Sequence, residues 1–474
     1  MDAIKADRMS LITNRPNKPP GLKGDPIFGC MRQYIRDPLG FVADAARDYG
    51  SVVCFPFLWR KVYLLSGPAD IEAVLMTNHA NFIKTALLRT PGVQRVMGNG
   101  LVTSDGEFWR RQRRLAQPAF HHARIAAYSN VAVQFAHELL QGWRNLAVVD
   151  LRKEMMKLTL GIVAKTLFNA DTKGEENEIG QSLDTCIRLF ATQWTLRGIF
   201  MQRFPTPDRR RLFSAAEKLD RAVYRIIAEH RKMGDTGDLL SLLVAAQDED
   251  GSQMTDEQLR DEAMTLFLAG HETTAITLSW IWVLLMKSPE VEAKLHDELR
   301  ALLDGRLPAF EDVTKLRYTE QIVKEAMRLY PPIWAIARQS LNEFNAGGYR
   351  IPGGSEIIIS QWVNHRNPAY FDNPDKFQPE RWTEAFTKQL PKYAYFPFSA
   401  GPRNCIGSGF AMMEGILILA TMAQSISLRR VSTNFVRPFP SITLRPEGDL
   451  RVTVISRWNE GKEDAQKPGC PARC

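Results

Sequence analysis

One cysteine sits inside a glycine-bounded loop, Phe398-Ser399-Ala400-Gly401-Pro402-Arg403-Asn404-Cys405-Ile406-Gly407, which runs straight into the apolar segment Phe410 to Met422. Such a loop aims a sulfur at a metal from one side only. Gly401 and Gly407 open backbone conformations closed to other residues and let the chain lie close against a flat partner. The helix expected next points N–H groups and partial positive charge at the sulfur, which favours thiolate over thiol. A single thiolate, with no second cysteine or histidine nearby, cannot complete a zinc or iron–sulfur site, but it can be the one axial ligand of a haem. The competing reading is a buried structural cysteine after a turn. That role needs neither both glycines nor the arginine at these spacings.

At 474 residues, length alone allows several domains or one large one. No repeat or linker divides the chain, and flexible tails are expected at 1–18 and 459–474. Met1 to Asn17 carries Asp2, Lys5, Asp7, Arg8 and Arg15 and no long apolar core, so neither a signal peptide nor a transmembrane anchor is expected. Six scattered cysteines do not make a disulfide scaffold, and the expected location is the cytoplasm. The pair Cys470 and Cys474 reads as part of a tail. The net charge of +8, without a nucleic-acid motif, favours an acidic protein partner over DNA or RNA.

The stretch from Pro19-Pro20-Gly21 to Gly29 reads as irregular. Val52 to Phe57 and Lys61 to Ser66 read as paired strands around Leu58-Trp59. From about Pro118 to Leu302 the pattern is mostly helical, broken at Gly234 to Asp238 and Gln247 to Gln253. Strands return at Tyr349 to Ser360, around Pro352-Gly353-Gly354. The expected fold class is therefore mainly α with a smaller β region.

The longest helix expected runs from Asp256, after a Thr255/Gln258 capping box, to Lys287: 32 residues, or about 48 Å. His271 and Glu272 argue against a membrane span, so this is a buried helix. Its middle reads Ala269-Gly270-His271-Glu272-Thr273-Thr274. Ala269 and Gly270 leave room for a diatomic ligand above a flat cofactor. Thr273, on the face of Ala269, can hold a hydroxyl against bound oxygen, and Glu272 can relay protons from solvent. Gly270 and Thr273 also weaken the backbone ladder, which leaves a gap for water. Against this stands a buried threonine that only back-bonds to a carbonyl. His271, off that face, reads as packed or hydrogen-bonded. Glu325 and Arg328 share a helical face before Pro331-Pro332, and Trp109 and Arg113 share another.

The loop resembles the haem loop of the cytochrome P450 family, Phe-x-x-Gly-x-Arg-x-Cys-x-Gly, at every fixed position, and Ala269 to Thr273 resembles that family's Ala-Gly-x-acid-Thr motif. Glu325, Arg328 and the Pro379-Glu380-Arg381 segment resemble its Glu-Arg-Arg triad, Glu325, Arg328 and Arg381. The resemblance implies a single domain over 1–474 with a cytochrome P450 fold, haem b buried between the long central helix and the cysteine loop, Cys405 as axial thiolate, and the triad locking that loop. It implies haem contacts at Phe398, Gly407, Ala269 and Gly270, and propionate contacts at Trp109, Arg113, Arg403 and Arg338. Catalytic roles fall to Thr273 and Glu272. Arg110, Arg111 and Arg114 suit an acidic electron donor or form a solvated basic face.

The implied activity is a monooxygenase inserting one atom of O2 into a hydrophobic substrate, a fatty acid, terpenoid or steroid-like molecule. Electrons come from a ferredoxin or flavodoxin with its reductase. A haem-thiolate peroxygenase or isomerase and a non-catalytic haem sensor stay open as alternatives. Substrate-lining segments are assigned to Phe82 to Val96, Leu189 to Phe204, Leu266 to Ala269, Ile333 to Ala337 and Phe439 to Ile442, with Phe267, Ile333, Trp334 and Phe439 as pocket residues. Arg197 and Arg203 could pair with a substrate carboxylate or lie on a mobile lid.

Overall fold

The computed structural model describes residues 18–457 except 59, 145, 171–175, 193–197, 199–203, 235 and 248–252. The expected tails, Cys470 and Cys474, and Arg197 and Arg203 therefore lie outside the described residues. In chain order the strands are β1 Val52–Phe57, β2 Arg60–Leu65, β3 Phe82–Lys84, β4 Val148–Asp150, β5 Ile336–Ser340, β6 Phe344–Ala346, β7 Tyr349–Ile351, β8 Glu356–Ile359, β9 Ile426–Arg430, β10 Arg437–Pro440, β11 Leu444–Glu447 and β12 Arg451–Ser456. The helices longer than ten residues are α1 Pro38–Tyr49, α2 Gly106–Ala116, α3 His122–Trp143, α4 Leu151–Phe168, α5 Glu176–Ala191, α6 Pro207–Met233, α7 Asp256–Leu285, α8 Pro289–Leu303, α9 Arg317–Leu329 and α10 Ser408–Ser425.

Two compact units emerge, each discontinuous in sequence. The smaller takes the chain up to Thr85, Ala335–Tyr370 and Pro391–Asn404. Its five-stranded sheet has the order β1-β2-β8-β5-β3. The expected β1/β2 hairpin forms with Val52 opposite Leu65, and Leu58 takes the left-handed conformation at its turn. The strands expected over Tyr349 to Ser360 form but do not pair with each other. β7 pairs with β6, while β8 lies between β2, in parallel, and β5. Its Ile-rich sequence suits a strand covered on both edges.

The larger unit holds α2 to α10 with the β4-β12-β9 and β10-β11 sheets. β4 falls inside the stretch read as helical, and the C-terminal strands β9 to β12 add to those read from the sequence. β4 exists because Val148 to Asp150 meet Thr453 to Arg451 from the far end of the chain. At the centre stands α7, 30 residues long rather than 32, ending at Leu285. Its capping box forms as read: Gln258 N donates to Thr255 Oγ1 at 3.2 Å and Thr255 N donates to Gln258 Oε1 at 3.0 Å. The helix is buried on nearly every side, and among the few charged groups it buries Arg260 and Glu272 are paired. It packs on α4, α6, α9 and α10.

The Glu325 carboxylate organises the segment after α9. Arg381 Nε and Arg328 Nη2 donate to Oε1, Arg328 Nε and Trp382 Nε1 to Oε2, all at 2.9 Å, and Gln378 N donates to Oε1 at 3.1 Å. The spare guanidinium N–H groups donate to the carbonyls of Pro374, Lys376 and Asp372. Glu325 and Arg328 are fully buried, and every partner is needed because a buried ion left alone costs more than its pairing returns. Trp382 joins the expected triad as a fourth member. Glu325→Gln should lower the unfolding free energy by about 3–5 kcal/mol, measured by urea denaturation.

Candidate active site

Gly401 meets the expectation for the cysteine loop. Its φ is +70°, and a Cβ there would stand 1.8 Å from the Leu75 carbonyl oxygen. Gly407 does not: its φ is −92°, and an added Cβ would make an ordinary 3.5 Å contact with the Phe120 ring. The second left-handed position is Ser399, with φ +63°. Phe398, Gly401 and Arg403 are half-buried, and α10 begins at Ser408.

Cys405 is exposed as a residue, yet protein packed around its sulfur desolvates the thiolate. The Gly407 N–H and the Arg113 charge favour its thiolate, but the surrounding protein outweighs them and pushes the thiol up. A coordinating metal ion would add positive charge and deprotonate the sulfur. Cys30, Cys54 and Cys186 are unpaired, and among the described residues no trio of His, Cys, Asp or Glu could hold a metal.

From Leu259 to Leu285 every residue of α7 is buried save three: Ala269 is exposed, and Gly270 and Thr273 are half-exposed. Positions i, i+1 and i+4 share one face, so the buried helix has a single opening at the motif. An open, small-sided face beside the helix that starts from a solvent-reachable cysteine fits a flat ring with one axial thiolate. The opening is not a break in the helix, which stays regular through it, and Thr273 Oγ1 donates to the Ala269 carbonyl at 2.7 Å. The expected water gap is absent from the backbone ladder. Gly270 has a second reason to lack a side chain, since a Cβ would come 3.1 Å from Val163 Cγ2 of α4.

Glu272 departs from the expected solvent relay. It is buried, its Oε1 accepting from Thr443 Oγ1 at 2.9 Å and Arg445 Nε at 2.5 Å. Burial raises its pKa and the Arg445 charge pulls it back. Arg445 Nη1 donates to Asp184 of α5 at 2.9 Å, and Asp184 also pairs with the exposed Arg188. An ion chain therefore leads from the motif acid towards solvent. Trp280 Nε1 donates to Leu444 O at 2.9 Å and fixes β11 on α7, which places Arg445. No spacing in the sequence marks Thr443, Arg445 or Asp184, because their partners lie far along the chain.

His271 is packed, as read: buried, with Nδ1 2.9 Å from Phe267 O, and burial depresses its pKa to about 4. Trp109 is buried on α2. Arg113 is half-buried, its Nε donating to Gln117 Oε1 at 3.0 Å. Arg110 pairs with Glu107. In the other unit Arg338 is buried on β5, donating to Ala337 O. The pocket residues divide. Phe267 is buried in a parallel stack on Phe168, ring centroids 4.2 Å apart, and Trp334 is buried with Nε1 donating to Ser441 O at 2.8 Å. Both are tied into packing, whereas Ile333 is half-exposed and Phe439 exposed.

The cytochrome P450 family model matches residues 19–450. Cyclooctatin synthase of Streptomyces melanosporofaciens is 37% identical, over 90% of this chain and 94% of its own length. Cyclooctat-9-en-7-ol 5-monooxygenase of the same organism is 36% identical over 86% and 88%. The crystal structure of the cytochrome P450DA heme domain matches with a TM-score of 0.84 and 27% identity, over 94% of this chain and 99% of that one.

Arg445→Met would leave Glu272 buried without its cation. The folded-state pKa of Glu272, already above the ordinary 4.5, should rise further. The stability loss, about 3–5 kcal/mol at neutral pH, should then shrink as pH falls towards 4.5, where the carboxyl is protonated folded or unfolded. Denaturation curves at neutral and acid pH check both.

Proposed function

The chain belongs to the cytochrome P450 family and is a monooxygenase of hydrophobic substrates, and from that premise we propose that it oxygenates a cyclic terpenoid, with Cys405 as the thiolate ligand of haem b. The single opening at Ala269, Gly270 and Thr273 in an otherwise buried helix carries the reading. The substrate class draws on the relatives, one of which takes a cyclic alkenol by its name.

When bound, the haem supplies reductive activation of dioxygen, with the thiolate donating electron density. The protein's own part is to position, exclude water and handle protons. Gly407 N–H and Arg113 stabilise the sulfur anion. Thr273 holds a hydroxyl at the edge of the opening. Its proton rests on the Ala269 carbonyl, so its oxygen can accept a hydrogen bond there, or donate after rotation. Thr443 and Arg445 both take Oε1 of Glu272, leaving Oε2 to carry a proton. Burial raises the Glu272 pKa and favours the proton-carrying form, while the Arg445 charge favours the ionised one.

The resemblance supports propionate contacts for Trp109, Arg113, Arg338 and Arg403, haem contacts for Phe398 and Gly407, and substrate contacts for Ile333 and Phe439. The donor we propose is a ferredoxin or flavodoxin with its reductase. Among the described residues no helix is long and apolar enough to cross a membrane, and we propose a cytoplasmic enzyme. The family match runs through both compact units, which supports one catalytic domain.

The dithionite-reduced, carbon monoxide-treated protein should show the red-shifted Soret band of thiolate-bound haem, and Cys405→Ser should abolish it. A folded, haem-replete sample without that band would overturn the assignment. Thr273→Ala should uncouple electron consumption from product, with product formation down roughly 10-fold or more and peroxide raised. Parallel NAD(P)H, peroxide and product assays measure this.

A further inference from the structure

The helix that leads away from the cysteine carries a buried acid that the chemistry above leaves unused. Glu414 of α10 is completely buried, and neither carboxyl oxygen has a hydrogen-bond partner of normal geometry. The one polar side chain acting on it is the Thr274 hydroxyl of α7, short of a standard hydrogen bond. Thr274 directly follows Thr273, the hydroxyl at the opening.

Among the described residues no ion pair reaches this carboxyl. α10 packs on α3, α7, α8, α9 and β9; these elements also bury Arg260, Asp261 and Glu262 near the start of α7, and Tyr128, His271 and His296, whose hydroxyl and Nε2 atoms have no hydrogen-bond partner. Tyr128 of α3 meets Phe410 edge-on and feels Arg124 and Asp238. Glu272 of α7 is held by Arg445, and Glu325 and Arg328 of α9 hold each other. Glu292 of α8 pairs with Arg429 of β9, and His296 of α8 feels Arg429, Arg300 and Arg457. Burial pushes the pKa of Glu414 up to about 8, outweighing the Thr274 hydroxyl, which pulls it down. An ionised carboxylate in that setting has no compensation, whereas a neutral acid has an O–H to donate.

We propose that Glu414 works as a neutral carboxylic acid whose O–H, donated to Thr274, seats α7 against the helix that starts at the cysteine ligand. It is a positioning residue for the opening at Ala269, Gly270 and Thr273, and the proposal rests on the monooxygenase reading of that opening. Glu414 ionises at 4.5 when unfolded and near 8 when folded, so folding takes up a proton between those values. Stability therefore falls as pH rises from 4.5 to about 8 and levels off above.

The test uses the haem-loaded, reduced, carbon monoxide-bound protein in H2O and D2O. At neutral pH, infrared difference spectra should show a deuterium-sensitive carboxylic-acid carbonyl band in the wild type that Glu414→Gln lacks. On titration through pH 8, the carbon monoxide stretch should shift in the wild type and stay fixed in Glu414→Gln. It should be displaced at every pH in Glu414→Leu, which keeps the apolar packing but loses the O–H. Absence of the carbonyl band, or wild type and Glu414→Gln titrating alike, would overturn the proposal. So would an undisplaced stretch in Glu414→Leu. The carbonyl band is read independently of the Soret position, so loss of the thiolate signature sinks the monooxygenase reading without touching the protonation result.

Discussion

The ion cluster around Glu325 is the interaction on which the larger unit's order around α9 depends. Its carboxylate accepts from two guanidinium groups, an indole and a backbone N–H, all removed from water. Those groups come from α9 and from residues 378–382, and the arginines reach on to the carbonyls of residues 372, 374 and 376. An extended segment with little regular structure is thereby tied to a helix by hydrogen bonds to buried charge. Such bonds are stronger than neutral ones and tolerate no missing partner.

A second constraint is the burial of α7. A helix on which nearly every side is covered offers few places for chemistry, and the sequence confines them to the small residues at Ala269 and Gly270 and the hydroxyl of Thr273. Three acids in the same unit then behave differently. Glu325 sits between two arginines. Glu272 has one arginine, which opposes the rise that burial causes. Glu414 has none. Burial is common to all three, and the supply of positive charge decides what each can do.

Much of this was legible from residue types and spacing. The capping box, the buried helix, the β1/β2 hairpin, the Glu325–Arg328 pair and the packed His271 follow from local rules, because each depends on residues a few positions apart. The departures share a cause. Gly407 sits in an ordinary conformation while Ser399 takes the left-handed one. β4 arises only from pairing with the chain's far end, and Trp382, Thr443, Arg445 and Asp184 carry no periodic signal. Phe267 and Trp334 look like pocket residues by composition, yet a stacking partner and a carbonyl acceptor claim them.

The sequence by itself determined the chemistry on offer: one cysteine in a loop that only glycine at 401 can complete, a small-residue and hydroxyl motif at mid-helix, and the acids and arginines able to pair. These are properties of residue type and short spacing. Tertiary structure alone decided how each group is charged. Whether Cys405 favours thiol, Glu272 keeps a cation or Glu414 stays neutral depends on desolvation and on charges brought from distant segments, and no local pattern encodes those distances.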